Sequence, residues 1–209
     1  MPDIFKPGKD DFRVISTQAR HEGFVRVESV RLTHRLFAGG WSAELQRELI
    51  IRKPAAGVLL VDYRRDEVVL IRQFRVGLIR SAENPWLLEL VAGLTETGES
   101  SDGVIKREAV EEADCAIEKL IPIGEYYSSP GASNEKVSLY CGLTDSANAG
   151  GIHGLDSEHE DIQVVVMSVD AALELLQTGC INNAMTLIAL QWLQLNRARL
   201  AENRTTDPV

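Results

Sequence analysis

Three glutamates with helical spacing could do chemistry in this chain: Glu108, Glu111 and Glu112. At i, i+3 and i+4 they occupy neighbouring positions within about one turn of a helix. Like charges at this spacing weaken a bare helix. A hard divalent cation relieves the repulsion, because carboxylate oxygens are the ligands that Mg²⁺ prefers. A glycine-containing loop precedes the predicted helix. The pattern therefore predicts a magnesium site suited to phosphate chemistry.

The residues around these glutamates resemble the signature of the Nudix hydrolases. Gly93 is followed after five residues by Glu99, and after seven more by the run Arg107–Glu112. Because these positions match at set spacings, metal ligation is favoured over a solvated helix face. Two residues depart from the pattern: Asp114 stands where the family usually has glycine, and Ala109 is small for an aliphatic position. Asp tolerates left-handed backbone better than most residues, so we expect the helix to end there.

The resemblance implies a set of metal ligands. Glu108 and Glu112 would bind directly, with the backbone carbonyl of Ala92 as an extra ligand. Glu111 would act through water or support the cluster. Two or more Mg²⁺ ions, with Mn²⁺ as a substitute, would help to activate water and neutralise charge at phosphorus.

The signature arginine is expected to have a supporting role. Arg107 can pair with Glu111 at i+4 or reach back to Glu99. The resemblance implies that Arg107 and Glu99 brace the glycine loop against the helix.

An acidic segment, Gly150–Asp161, follows later in the chain. On composition alone it would be an ordinary solvated loop, and His153 and His159 would be surface histidines. Hydrolysis of a diphosphate also needs a carboxylate base that reaches the attacking water. The resemblance assigns that role to Glu158, and it makes Glu160 a further metal ligand that arrives when the loop closes.

Pro130 narrows the resemblance to the ADP-ribose pyrophosphatase subgroup. It lies fifteen residues after Cys115, the end of the signature, and a proline near that distance is typical of the subgroup. Other similar segments are His34–Phe37, Pro85–Glu89, Gly151–Leu155 and Ala189–Leu195. The resemblance implies hydrolysis of ADP-ribose to AMP and ribose 5-phosphate. The alternatives are a Nudix enzyme for another nucleoside diphosphate sugar and a non-catalytic ADP-ribose-binding regulator. Such a regulator would not need the metal carboxylates.

The same resemblance assigns four residues to the substrate. Phe24 would stack on the base, and Arg47 and Arg75 would hold polar groups of the nucleotide. Glu135 would contact the terminal ribose. Without the resemblance, Phe24 would be interpreted as core and the two arginines as surface charge.

The elements that must position these residues predict a layered α/β protein. The resemblance implies a mixed sheet sandwiched between helices, with an N-terminal antiparallel sheet. Predicted strands are Phe12–Gln18, Phe24–Phe37, Trp41–Arg52, Ala56–Tyr63, Glu67–Val76, Trp86–Ala92, Leu120–Tyr127, Lys136–Leu143 and Ile162–Ser168. Predicted helices run from a cap at Ser100 or Ser101 to about Ala113, over Asp170–Gln177 and over Asn183–Ala201.

Pro54 marks a boundary between residues 1–52, an N-terminal sheet element, and residues 53–209, the Nudix domain. The N-terminal sheet has little core of its own, so it must pack on something. The main domain or a second subunit could cover it. The resemblance implies a homodimer in which this sheet packs across the interface.

Composition bounds the partners and the compartment. The formal net charge of −9 counts against a nucleic acid partner. Cys115, Cys141 and Cys180 are odd in number and widely spaced, so buried reduced thiols are favoured over zinc or disulfides. The first dozen residues lack a signal-peptide core, and no apolar run reaches membrane-spanning length. A cytoplasmic enzyme without a membrane partner is therefore expected.

Overall fold

The computed structural model describes residues 8–155, 157 and 159–202. Its contacts divide the chain into two units. The first comprises residues up to 53 together with 127–135, and the second comprises residues 54–126 together with those from 136 onward. The sequence-based boundary after residue 52 stays a prediction.

The first unit is a three-stranded antiparallel sheet in the order β1-β2-β3. Its strands are β1 Phe12–Glu22, β2 Arg26–His34 and β3 Leu45–Ile51. Every residue of β1 is exposed, and Ser29 is the one buried residue in the strands of the sheet as described. The predicted lack of a core is therefore confirmed. The second and third strands are shorter than predicted because a turn closes around Gly39 and Gly40, both with positive φ.

The segment 127–135 joins this first unit through β3. The backbone N–H of Ile50 donates to the carbonyl of Ala132 at 2.8 Å, and that of Asn134 donates to the carbonyl of Ile50 at 3.3 Å. The side chain of Asn134 accepts from the N–H of Arg52 at 2.7 Å. The segment around Pro130 is thus held on the strand that carries Arg47.

The second unit is built on an eight-stranded mixed sheet with the path β10-β11-β5-β4-β9-β8. The other two of the eight strands lie off this path: β6 pairs with β5, and β7 pairs with β4. β4 and β9 run parallel, whereas β4–β5, β5–β6, β4–β7 and β5–β11 are antiparallel. The strands are β4 Ala55–Asp62, β5 Glu67–Phe74, β6 Trp86–Glu89, β7 Val91–Leu94, β8 Lys119–Tyr127, β9 Lys136–Leu143, β10 Ile152–His153 and β11 Ile162–Ser168.

Three α-helices belong to this unit, and local signals set their ends. α1 covers Ser101–Ala113, α2 covers Val169–Gln177 and α3 covers Ala184–Ala201. Ser100 caps α1 by accepting from the N–H of Gly103 at 3.3 Å. Asp114 ends α1 in left-handed conformation, with φ 49° and ψ 36°, as its sequence position predicts.

Two apolar layers cover the two faces of this sheet. The layer with α1 contains Val58, Leu60, Val69 and Ile71 of the sheet, with Val104, Ile105 and Ala109 of the helix. The opposite layer contains Leu59, Val61, Val68 and Leu70 of the sheet, with Ala172, Ala189, Leu190 and Leu193 of α2 and α3. Successive strand residues point to opposite faces, and every residue of β4 is buried, so this strand is covered on both faces. The predicted sheet between helices is confirmed.

The cysteines follow the prediction only in part. Cys115 and Cys141 are buried, but Cys180 is exposed. It lies in the turn between α2 and α3, where neither helix covers it. The prediction of a buried thiol is therefore wrong for Cys180. No helix of the described chain is long and apolar enough to cross a membrane.

Candidate active site

The signature helix is packed tightly against the glycine of its preceding strand. Gly93 lies in β7, and a Cβ atom built on it would come within 2.6 Å of Cγ of Glu108 and closer still to its carboxylate. Real Cβ atoms do not tolerate such an approach. The glycine of the signature therefore lets Glu108 lie on the backbone of β7, and a larger residue would force the Glu108 side chain to move.

Glu112 is a nearly buried carboxylate, with 4% of its surface exposed. Its Oε2 atom accepts the backbone N–H of Ala92 at 3.1 Å. Burial raises the pKa of Glu112 to about 8, and the nearby charges of Glu108 and Glu160 act in the same direction. Glu112, one predicted metal ligand, is thus hydrogen-bonded to Ala92, whose backbone carbonyl is another predicted ligand.

Glu108 and Glu160 complete the same cluster. Burial raises the pKa of Glu108, and the charges of Glu111 and Glu160 raise it further while Arg107 opposes them. Glu160 is held from its own loop, because its Oε2 atom accepts the N–H of Leu155 at 3.2 Å. The four residues predicted as metal ligands are thus linked within the second unit: Ala92 is hydrogen-bonded to Glu112, and the charges of Glu108 and Glu160 act on Glu112.

Arg107 makes both of the contacts that its spacing predicts. Its guanidinium lies 2.7 Å from Glu111 and 3.6 Å from Glu99. A third contact, at 3.0 Å, reaches Glu108. Arg107 therefore partly neutralises the cluster and ties the glycine loop to α1. Glu111 is engaged by this arginine at the rim of the cluster.

The cluster fits a hard divalent cation by its chemistry. Within the described residues, no three Asp, Glu, His or Cys side chains form a group that could hold an ion as they stand. Even so, the negative charge of Glu160 raises the pKa of Glu108 and of Glu112, and both of these carboxylates are mostly buried. A cation bound by carboxylate oxygens would relieve this repulsion, and oxygen is the donor that Mg²⁺ prefers.

Arg75 lies at the border of the cluster. Its positive charge lowers the pKa of Glu112 against the larger effects of burial and neighbouring carboxylates. Its Nε atom donates to Oε2 of Glu89 at 2.6 Å. The structure thus brings this predicted substrate residue next to the predicted metal ligands, and it adds Glu89, which the sequence analysis did not single out.

The other predicted substrate residues lie in the first unit. Phe24 is 91% exposed, so its interpretation as core, made without the resemblance, is wrong. Arg47 donates to the backbone carbonyl of Gln46 at 2.8 Å. Glu135 accepts from Nε of Arg52 at 3.2 Å.

Arg52 is a site candidate that the sequence reasoning missed. Its guanidinium carbon lies 5.7 Å from the ring centre of Phe24, within the range of a cation–π contact. The same side chain binds Glu135. It therefore connects two predicted substrate residues that are far apart in sequence. No spacing rule reveals this, because the segment carrying Glu135 reaches β3 only through tertiary pairing.

The acidic segment is described in part. Glu158, the predicted base, lies outside the described residues. His159 is exposed, as predicted, with φ 56°. His153 is half-buried, and its Nε2 atom is 2.7 Å from the carbonyl oxygen of Gly150. The prediction of a surface histidine is therefore met only in part at His153, because its ring packs on the backbone of Gly150.

Comparison with known proteins decides the family. A model of the NUDIX domain matches residues 51–186. The chain belongs to the Nudix family. The match spans the glycine strand β7, the helix α1 and the loop that carries Glu160, so it contains the whole carboxylate cluster.

Two relatives of this Nudix chain bear the same name. An Escherichia coli (strain K12) protein named ADP-ribose pyrophosphatase is 44% identical over 193 residues, covering 92% of each chain. A Haemophilus influenzae protein of that name is 39% identical over 206 residues, covering 97% of this chain and 95% of its own length.

A solved structure shares the fold at lower identity. The "Crystal structure of ADP compounds hydrolase" superimposes with a TM-score of 0.67 and 19% identity. It covers 91% of this chain and 98% of its own. At this identity the likeness supports the Nudix fold of the chain.

Proposed function

We propose that this Nudix protein is a pyrophosphatase that hydrolyses the diphosphate of ADP-ribose to AMP and ribose 5-phosphate. The observation that carries the proposal is the buried carboxylate cluster of α1, within a chain that is 39–44% identical to proteins named ADP-ribose pyrophosphatase. Both relatives align with more than nine-tenths of the chain. Relatives of this kind generally use a divalent metal ion, and we propose Mg²⁺, in two or more sites, with Mn²⁺ as a substitute.

The carboxylates have distinct proposed roles. Glu108, Glu112 and Glu160, with the carbonyl of Ala92, would hold the cations. Bound Mg²⁺ would supply charge neutralisation at phosphorus and help to activate water. Glu158 is proposed as the base that takes the proton of the attacking water.

Positively charged, negatively charged and aromatic side chains would orient the substrate. The terminal nitrogens of Arg75 suit diphosphate oxygens, since a guanidinium fork matches phosphate geometry. The exposed ring of Phe24 suits stacking on the base, and Arg47 would bind polar groups of the nucleotide. Glu135 would accept from a ribose hydroxyl, held in place by Arg52.

A homodimer and a cytoplasmic location complete the proposal. Phe12, Val14 and Ile15 of β1 are each about half exposed, at 50%, 54% and 49%. Large apolar side chains on an edge strand favour coverage by another chain. The cytoplasmic location and the lack of a nucleic acid partner rest on the cysteine count and the net charge.

Product analysis tests the activity. The purified chain would be incubated with Mg²⁺ and a panel of adenine, guanine and uracil nucleoside diphosphate sugars. AMP and ribose 5-phosphate from ADP-ribose, at the highest kcat/KM of the panel, are the expected result. Glu112→Gln serves as the inactive control. Preference for another base would favour the alternative substrate class, and ADP-ribose binding without any turnover would favour a regulator.

A further inference from the structure

Glu89, which forms an ion pair with Arg75, has no role in the proposed hydrolysis. Arg75 and Glu89 are joined through Nε and Oε2 at 2.6 Å. The Glu89 side chain is 15% exposed, whereas that of Arg75 is 44% exposed. A mostly buried carboxylate is costly unless it is paired and hydrogen-bonded. Arg75 provides the opposite charge and the hydrogen bond that the Glu89 carboxylate needs, and Glu89 in turn constrains the Arg75 side chain.

Strand pairing places the carboxylate on the face of the sheet that α1 covers. Ile71 of β5 is directly opposite Glu89 of β6. Opposed residues share a face, and Ile71 belongs to the apolar layer beneath α1. Glu89 therefore points to the same side as the carboxylates of the signature helix.

The backbone that carries Arg75 is held at the end of the same strand pair. Its N–H donates to the carbonyl of Pro85 at 2.8 Å. The preceding residue, Phe74, pairs with Trp86, and their rings meet edge to face at 5.3 Å. The Cα of Arg75 and the carboxylate of Glu89 are thus both anchored, so their contact restricts the arginine side chain between two fixed points.

The contact uses only one edge of the guanidinium. Arginine has five N–H donors, one on Nε and four on the terminal nitrogens. Glu89 takes Nε. The terminal nitrogens have no hydrogen-bond partner within the part of the chain that the structure describes. Because Glu89 points to the face of the sheet that α1 covers, the guanidinium that it binds is held on the same face as the metal carboxylates.

We propose that Glu89 is a positioning residue for the diphosphate of the substrate. By binding Nε of Arg75, it fixes the plane of the guanidinium and leaves both terminal nitrogens to bind phosphate oxygens. The inference rests on the proposed function, because it assigns those oxygens to the substrate of the same site. Glu89 itself touches neither substrate nor metal.

The proposal differs measurably from two other roles for Glu89. A metal ligand would change the Mg²⁺ concentration needed for half-maximal rate. A purely structural residue would change the melting temperature and leave KM intact. A positioning residue should raise KM for substrates with a diphosphate and leave the Mg²⁺ requirement unchanged.

The experiment compares Glu89→Gln, Glu89→Asp and Glu118→Gln with the wild-type enzyme at saturating Mg²⁺. Glu118→Gln is the control. Glu118 binds Arg64 at 3.0 Å beside the opposite end of β5. The two arginines are equally exposed, at 42% and 44%, whereas Glu118 is more exposed than Glu89, at 44% against 15%. Steady-state kinetics with ADP-ribose, inhibition constants for ADP and adenosine, Mg²⁺ titrations and melting temperatures would be measured for each.

Glu89→Gln should raise KM roughly tenfold, the scale of one charge-assisted hydrogen bond, while kcat changes much less. Inhibition by ADP should weaken similarly, and inhibition by adenosine should not. Glu89→Asp should recover part of the affinity, and Glu118→Gln should match the wild type. In an Arg75→Lys background, which lacks the fork, Glu89→Gln should have little further effect.

Three results would overturn the inference: an unchanged KM in Glu89→Gln, an altered Mg²⁺ requirement, or full additivity with Arg75→Lys. Each of these results can be interpreted only when the wild-type enzyme hydrolyses ADP-ribose. If the wild type itself does not turn over ADP-ribose, the proposed function fails instead, so the two failures are distinguishable.

Discussion

At the scale of single residues, the spacing of charges predicted the cluster but not its energetics. The i, i+3, i+4 pattern singled out Glu108, Glu111 and Glu112, and the resemblance to the Nudix signature chose Glu108 and Glu112 as direct ligands. That Glu112 is buried follows from β7 lying over it, and a contact between segments twenty residues apart has no local signal. Arg52 and Glu89 were missed for the same reason: each gains its partner through strand pairing rather than through neighbouring sequence.

The raised pKa of Glu112 predicts a pH-dependent stability in metal-free protein. Its folded pKa of about 8 lies above the ordinary value of 4.5. Stability from the protonated form is therefore present below pH 4.5 and is lost as pH rises towards 8. Glu112→Gln removes this titration. Its melting temperature in EDTA should exceed that of the wild type at pH 8, and the difference should vanish near pH 4.5.

The same substitution should remove catalysis. With Mg²⁺ present, Glu112→Gln is expected to lower kcat/KM by roughly two or more orders of magnitude, the range for a lost key electrostatic group. Near-wild-type turnover at saturating Mg²⁺ would contradict the ligand assignment. A melting difference in EDTA that does not vary with pH would contradict the buried titration.

Gly93 offers a test of packing at the site. Gly93→Ala would place Cβ against the Glu108 side chain, so this side chain must leave its position in the cluster. Activity should fall by at least about tenfold, because a displaced ligand of this kind costs geometry that catalysis needs. Gly124→Ala is the matched control, since Gly124 also lies in a strand but has open space at Cβ. Equal activity of the two variants would rule out the packing argument.

At the scale of elements, local sequence signals predicted where helices end, but they did not predict which strands pair with each other. The cap at Ser100 and the end at Asp114 were predictable because their causes lie within a few residues. The stretch Trp86–Ala92 was predicted as one strand, but it divides at Leu90 into β6 beside β5 and β7 beside β4. Because of this division, Glu89 of β6 binds the side chain of Arg75, and the backbone N–H of Ala92 in β7 binds Glu112. Propensity cannot predict it, because the partner of a strand is decided by the whole sheet.

The loop between β10 and β11 should carry separable roles. Glu160→Gln should raise the Mg²⁺ concentration needed for activity, and excess metal should recover part of the rate. Glu158→Gln should lower kcat with a much smaller effect on KM, and Mg²⁺ should not restore it. Metal titrations of both variants decide the matter. Rescue of Glu158→Gln but not of Glu160→Gln would reverse the two assignments.

At the scale of the whole molecule, charge is distributed unevenly between the two units. Residues 1–53 and 127–135 carry 10 Lys and Arg against 8 Asp and Glu, a net charge of +2. The remaining residues carry 12 against 23, a net charge of −11, which accounts for the total of −9. An acidic unit suits cations, and a weakly basic unit suits an anionic nucleotide. The net charge of −9 for the whole chain, which counts against a nucleic acid partner, does not reveal this difference between the units.

The exposed edge strand predicts the assembly. β1 offers eleven exposed residues, including Phe12, Val14 and Ile15, and uncovered edges of this kind invite pairing with another chain. Sedimentation should therefore show a dimer, twice the 23.1 kDa chain mass. Val14→Asp should shift the enzyme towards monomer and lower its activity. Leu195→Asp is the control, because Leu195 is an exposed apolar residue of α3 outside that strand. A fully active wild-type monomer at assay concentration, or equal dissociation of both variants, would exclude assembly through β1.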